Sequence, residues 1–231
     1  MGLHLFDERH GLIISCDVAT EKELRRLTEE TASVEGVVGY KIGFSIGLAM
    51  GLGNAVNAVK DITDMPVIYD HQKAGNDIPE MGAKFAETMK NANVDVAILF
   101  PFTGIPTLTE WTKELKAKRV EVMVGGEMTH PSFFDFIRAE TPYSIYREAA
   151  KLGVEMFVVP GTKPQRITEI AADLPRNAKL FFPGIGRQGG DMEKAFKAAE
   201  NNSYAIIGSA IYGAPNIREA AKNFAEAIDR I

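Results

Sequence analysis

At 231 residues and 45% hydrophobic content, the chain can bury a sizeable core, in one large domain or two small ones. Its net charge of −5 argues against a general nucleic-acid or acidic-membrane surface, so an anionic ligand would need a local positive field. No run reaches the roughly 18 apolar residues of a membrane span, and Met1–His10 lacks a signal-peptide pattern, so a cytoplasmic protein with no membrane or nucleic-acid partner is expected.

Apolar runs of strand length alternate with helical stretches along the whole chain. Leu12–Asp17 is the first run, and it contains Cys16, the one cysteine. Without a partner, Cys16 reads as a buried core thiol in a reducing compartment, with a nucleophile as the other possibility. Thr20–Ala32 follows as a helix, where Thr20 and Glu23 have capping-box spacing. Val37–Ile42 then precedes a helix over Ile46–Ile62, and Val67–Asp70 precedes one over Met81–Asn91. Val94–Phe100 precedes Pro106–Lys118, and Val120–Gly125 precedes helical pieces near Pro131–Arg138 and Thr141–Leu152. Met156–Val159 precedes Pro164–Ala172, Lys179–Phe182 precedes Met192–Glu200, and Tyr204–Gly208 precedes Ile217–Ile231.

Most of these strands are continuously apolar, as a parallel sheet covered on both faces requires. Eight alternating units within this length predict a closed (β/α)₈ barrel, a TIM barrel, with an open doubly wound sheet as the alternative. No linker, low-complexity tract or charge block divides the chain, so one domain over 1–231 is expected.

In such a barrel the working residues stand at the C-terminal ends of the strands and on the loops after them. Asp17, Lys41 and Asp70 fall at the first three strand ends, with Lys73 and Asp77 in the loop that follows Asp70. On a helix, Asp70, Lys73 and Asp77 would form an ordinary ion-pair stripe, but Gly75, Asn76 and Pro79 argue for a loop. Glu127, Thr129 and His130 follow strand five, Arg187 and Gln188 strand seven, and Gly208-Ser209 strand eight. Any one of these has a bland reading, since strand-end aspartates cap helices and lone lysines snorkel to water. Several charges at successive strand ends point instead to one shared mouth.

The segment Pro183-Gly184-Ile185-Gly186-Arg187-Gln188-Gly189-Gly190-Asp191 is the second informative stretch. Its glycines let backbone N–H groups converge on an anion ahead of the next helix, and Arg187 supplies a planar charged fork suited to phosphate. Barrels often hold phosphate between the loops after strands seven and eight, where this segment and Gly208-Ser209 lie. Gly184 to Gly189 also fits G-x-G-x-x-G, but the dinucleotide version opens a first βα unit and needs an acid about 20 residues further on. The four histidines show no ligand spacing, so no metal is expected, although Asp17 and Asp70 could share Mg²⁺ with a phosphorylated substrate.

From Leu12 to the C-terminus these residues together resemble the orotidine 5′-phosphate decarboxylase family. The resemblance is carried by Ile13-Ile14-Ser15-Cys16-Asp17, Tyr40-Lys41-Ile42-Gly43, Glu127-Met128-Thr129-His130-Pro131 and Val158–Pro164. The Pro183–Asp191 stretch carries it most specifically, and Ile207-Gly208-Ser209-Ala210-Ile211-Tyr212 looks like the family's final phosphate loop. The resemblance implies decarboxylation of orotidine 5′-phosphate to UMP, in pyrimidine biosynthesis, without cofactor or metal. Asp70 would lie beside the departing carboxylate, Lys73 would donate a proton to C6, and Asp17 and Lys41 would hold ribose hydroxyls and complete the charge network. Thr129 would meet the pyrimidine, Gln188 the phosphate, and Asp77 with Ile78 would cross to the site of a partner in a homodimer. Pro183, Arg187, Gly208 and Ser209 would complete the substrate-binding set.

This sequence departs from the family pattern in the stretched spacing of Asp70, Lys73 and Asp77, with one residue added on each side of the lysine. Ser209 stands where the family's last loop carries Arg, a charge that Arg187 would replace from the other side of the phosphate. Met81 stands where a Thr is frequent. Two further readings remain: a Mg²⁺-dependent 3-hexulose-6-phosphate synthase or 3-keto-L-gulonate-6-phosphate decarboxylase, and a non-catalytic nucleotide-binding homologue.

Overall fold

The structure, a computed structural model, describes residues 5–71, 74–186, 191–200 and 202–231. Eight parallel strands close into a barrel in sequence order: β1 His10–Ser15, β2 Val37–Gly43, β3 Val67–Asp70, β4 Val96–Leu99, β5 Glu121–Gly125, β6 Met156–Val158, β7 Lys179–Phe182 and β8 Asn202–Ile207. The ladder of β8 with β1, from His10↔Ser203 to Ile14↔Ile207, closes the ring. That closure excludes the open doubly wound sheet.

Helices fill the spaces between strands: α1 Glu21–Thr31, α2 Phe44–Met50, α3 Leu52–Lys60, α4 Gly82–Asn91, α5 Ile105–Ala117, α6 Thr141–Lys151, α7 Pro164–Ala172, α8 Met192–Ala199, α9 Ser209–Tyr212 and α10 Ile217–Asp229. Local sequence fixes several of their starts. Thr20 and Glu23 form the expected capping box on α1, while Asp191 and Asn216 accept N–H bonds at the starts of α8 and α10. The helix expected over Ile46–Ile62 is two helices, because Gly51 between them takes φ 78°, outside helical geometry. The piece expected near Pro131–Arg138 is a short 3₁₀ turn over Pro131–Asp135, and α9 was not anticipated.

Alternation along each strand divides the core in two. Leu12, Ile14 and Cys16, with Tyr40, Ile42, Val67 and Tyr69, face outward into one cluster with the buried sides of the helices. Ile13, Ile68, Val96, Ile98, Met123, Val158, Phe181 and Ile206 face inward and fill the barrel. Phe6 closes the end where the strands begin, packing edge-on against Phe181 at 5.2 Å between ring centres. Its carbonyl accepts from the Tyr204 hydroxyl at 2.7 Å. The interior is thus apolar from the strand starts upward, and the polar side chains gather where the strands end.

Candidate active site

The inward positions that fill the barrel continue, two residues at a time, into polar side chains. Ile13 leads to Ser15 and Asp17, Ile68 leads to Asp70, and Lys41 is the inward residue of β2. The register pairs Ser15 with Lys41 across β1 and β2, and Gly43 with Asp70 across β2 and β3. One chain of contacts results. Lys41 Nζ stands 3.3 Å from Asp70 Oδ2 and donates to Ser15 Oγ at 3.2 Å. Ser15 Oγ in turn donates to Asp17 Oδ2 at 2.8 Å. Gly43 is needed beside it, because a Cβ there would lie 2.5 Å from Asp17 Oδ1.

The Lys41 side chain is only 8% exposed. Burial is the largest single influence on its ammonium and acts to lower the pKa. The charges on Asp70 and Asp17 and the hydrogen bond to Asp70 together outweigh it, so the net displacement is upward. Lys41 is therefore a fixed positive charge rather than a proton shuttle at neutral pH. Cys16, between Ser15 and Asp17 but on the outward side, is fully buried, and burial pushes its thiol far up, which supports the core reading over the nucleophile.

Above this network lies a cavity of about 280 Å³, near the lower end of the roughly 300–1,000 Å³ typical of ligand sites. Asp17, Lys41 and Asp70 form one wall, and Thr129 stands on the segment after β5. Pro183, Gly208 and Ser209 bound it on the side of β7 and β8. Seven of the residues expected to form a site from sequence thus meet at a single opening. Lys73, Arg187 and Gln188 lie outside the described residues. Asp77 and Ile78 do not line this cavity: Asp77 borders a separate groove of about 580 Å³, and Ile78 is 58% exposed.

Residues 10–224 match the orotidine 5′-phosphate decarboxylase / HUMPS family. The chain belongs to that family. It is similar to the orotidine 5′-phosphate decarboxylase of Methanococcus maripaludis, with 33% identity over 213 residues, 92% of this chain and 94% of the relative. The enzyme of that name from Pyrococcus abyssi is 32% identical over 219 residues, covering 94% and 98% of the two chains. Among solved structures, orotidine 5′-monophosphate decarboxylase from Methanocaldococcus jannaschii, complexed with inhibitor BMP, superposes with a TM-score of 0.86 at 27% identity. That likeness covers 95% of this chain and 98% of the other.

After β3 the chain is anchored at Ala74–Ile78. The Ala74 carbonyl accepts from Phe100 N at 2.6 Å, and Asn76 Oδ1 accepts from Phe102 N at 3.0 Å. The Asp77 carbonyl accepts from Thr107 Oγ1 at 2.9 Å, and that of Ile78 from Trp111 Nε1 at 3.1 Å. These bonds tie Ala74–Ile78 to the segment after β4 and to α5, and the Ile78 side chain is exposed. Tyr69 and His71 pair at 2.6 Å between the phenol oxygen and Nδ1, at the edge of the same groove.

Three contributors escaped the sequence-based site. Ser15 bridges Lys41 and Asp17; that it shares a face with Asp17 is legible from their spacing of two, but its partnership with Lys41 depends on register. Tyr212 lines the cavity from α9, a four-residue helix too short to show a periodic pattern. Glu127 was noted as a strand-end acid, yet its role rests on two cations far along the chain. Its side chain is completely buried, with Lys163 Nζ 2.9 Å from Oε1 and Arg166 Nη2 2.6 Å from Oε2.

Proposed function

We propose that this chain decarboxylates orotidine 5′-phosphate to UMP, using its own side chains and no cofactor or metal. The observation that carries the reading is the Asp70–Lys41–Ser15–Asp17 network on the wall of a cavity that Thr129, Pro183, Gly208 and Ser209 also line. Membership of the family and the names of its relatives support the same reaction.

Loss of CO₂ breaks the bond between C6 and the carboxyl carbon and leaves the electron pair on C6, where no carbonyl is placed to delocalise it. A site without an electron sink must meet that charge electrostatically. In this reading Lys73 places an ammonium next to C6 and gives it the proton, then recovers one from solvent. Asp70 stands near the departing carboxylate. At about 4 Å and an effective dielectric near 20, two such anions repel by roughly 4 kcal/mol, which destabilises bound substrate relative to the carbanion. Lys41, 3.3 Å from Asp70, holds that side chain at a fixed position, and with Asp17 it receives the ribose hydroxyls. Thr129 reads the pyrimidine. Pro183, Gly208 and Ser209 flank the phosphate, with Arg187 and Gln188 closing over it and Arg187 standing in for the arginine that Ser209 replaces.

We further propose a cytoplasmic homodimer with shared active sites. The groove beside the β3 loop is lined by Leu48, Phe85 and Trp111, and Leu48 and Ile78, the residue after the groove-lining Asp77, are exposed apolar side chains. A second copy that covers this face would bring its Asp77 and Ile78 toward the neighbouring cavity. Among the described residues, no helix is long and apolar enough to cross a membrane.

The test is decarboxylation of orotidine 5′-phosphate before and after exhaustive treatment with EDTA. Full activity in both conditions is expected. Activity abolished by EDTA and restored by Mg²⁺ would contradict the metal-free reading, and no turnover of orotidine 5′-phosphate in either condition would favour a sugar-phosphate enzyme or a nucleotide-binding homologue.

A further inference from the structure

Glu127 and its two cations form the most deeply buried ionic cluster outside the Lys41 network, and the decarboxylation mechanism makes no use of them. Glu127 lies two residues past the end of β5, and the next two residues, Met128 and Thr129, line the cavity. Arg166 alone supplies Oε2 of Glu127 with two donors, Nε at 2.9 Å and Nη2 at 2.6 Å. That bidentate pairing already neutralises the buried carboxylate. Lys163 is therefore a second cation on a charge that is already matched. It takes Oε1 at 2.9 Å and also donates to the Met128 carbonyl at 3.2 Å. One ammonium thus grips two consecutive residues of the segment that carries Thr129.

The surroundings keep this grip in place. The backbone N–H of Glu127 donates to the Tyr146 hydroxyl at 3.1 Å, and that hydroxyl donates to the Val158 carbonyl at 2.7 Å, tying the segment to β6. Phe134 lies 5.4 Å from Lys163 Nζ, and Tyr143 lies 4.3 Å from the Arg166 guanidinium, so aromatic faces cover the outer side of the cluster.

We infer that Lys163, seated on the buried Glu127 carboxylate, is a positioning residue that fixes the Met128–Thr129 segment and so sets the affinity of the site for the pyrimidine ring. The inference rests on the reading of Thr129 as the pyrimidine contact. Lys163 touches no reacting atom in it. Its effect is confined to the base, because the phosphate side of the cavity is built from the distant segments after β7 and β8.

The experiment compares UMP and ribose 5-phosphate binding by calorimetry in wild type, Lys163→Met and Lys163→Arg, with thermal melts to confirm folding. Lys163→Met keeps the Glu127–Arg166 pair and removes the bond to Met128. UMP should bind roughly three- to tenfold more weakly while ribose 5-phosphate binding stays unchanged, and Lys163→Arg should recover most of the UMP affinity. For orotidine 5′-phosphate, KM should rise by more than kcat falls. Equal weakening of both ligands, or unchanged UMP affinity, would overturn the inference alone. A wild-type protein that binds no UMP and turns over no orotidine 5′-phosphate would overturn the proposed function and take the inference with it.

Discussion

Replacing Asp70 by Asn keeps the shape of the side chain and removes the charge that faces Lys41. The two groups lie 3.3 Å apart with side-chain exposures of 8% and 14%, and at an effective dielectric near 20 a unit pair at that separation attracts by about 5 kcal/mol. Desolvation offsets much of this, and losing one member of a buried pair costs about 3–5 kcal/mol. Asp70 keeps some contact with the cavity mouth, so the expected loss of stability is about 3 kcal/mol, at the lower end of that range. The pH dependence gives a sharper signature. In the parent, Lys41 is displaced upward from 10.5, so its contribution is whole below that pH and fades as pH climbs through the folded-state value. With Asn at position 70, the charge and hydrogen bond of Asp70 no longer oppose burial, so the folded-state value of Lys41 falls. The folded state then holds its proton less tightly than in the parent, and the loss of stability on the alkaline side becomes smaller. Urea denaturation across the alkaline range reads both effects. A loss under about 1 kcal/mol, the size of an exposed pair, or an alkaline slope matching the parent's, would refute the buried-pair argument.

Two further outcomes follow from packing. A Cβ at Gly125 would lie 2.2 Å from Phe100 Cζ, and Phe100 borders the cavity. Gly125→Ala should therefore turn that ring into the cavity, cost about 1–3 kcal/mol in a denaturant melt and raise KM for orotidine 5′-phosphate; an unchanged KM would mean that the ring retreats elsewhere. Cys16 is fully buried and its thiol is pushed up by that burial, so an aromatic disulfide reagent at mildly alkaline pH should react only after unfolding. Stoichiometric labelling of the native protein would contradict its placement in the core.

Much of this architecture was legible in the sequence because a barrel strand is apolar on both faces and short. Runs such as Val67–Asp70 and Lys179–Phe182 match the observed strands residue for residue. Asp17, Lys41 and Asp70 were legible for a related reason: a charge that ends a fully buried strand has only the barrel mouth to occupy. Register supplied what sequence could not. The Ser15 bridge depends on β1 and β2 aligning Ser15 with Lys41, and nothing in either strand alone states that alignment. The Glu127 cluster was hidden because Lys163 and Arg166 lie beyond α6 and β6, so their approach is a product of closure rather than of local pattern. The Ile46–Ile62 stretch holds three glycines, Gly47, Gly51 and Gly53, and the backbone shows which one breaks the helix, since Gly51 takes φ 78°.

The central claim is that Lys73 delivers the proton to C6 from the site that Asp70 and Lys41 organise. Loss of orotidine ultraviolet absorbance, followed side by side for wild type and Lys73→Ala with UMP affinity measured for both, tests it directly. Wild type should turn over orotidine 5′-phosphate, and Lys73→Ala should lose at least about a hundredfold in kcat while still binding UMP. Undiminished turnover in Lys73→Ala would contradict the account.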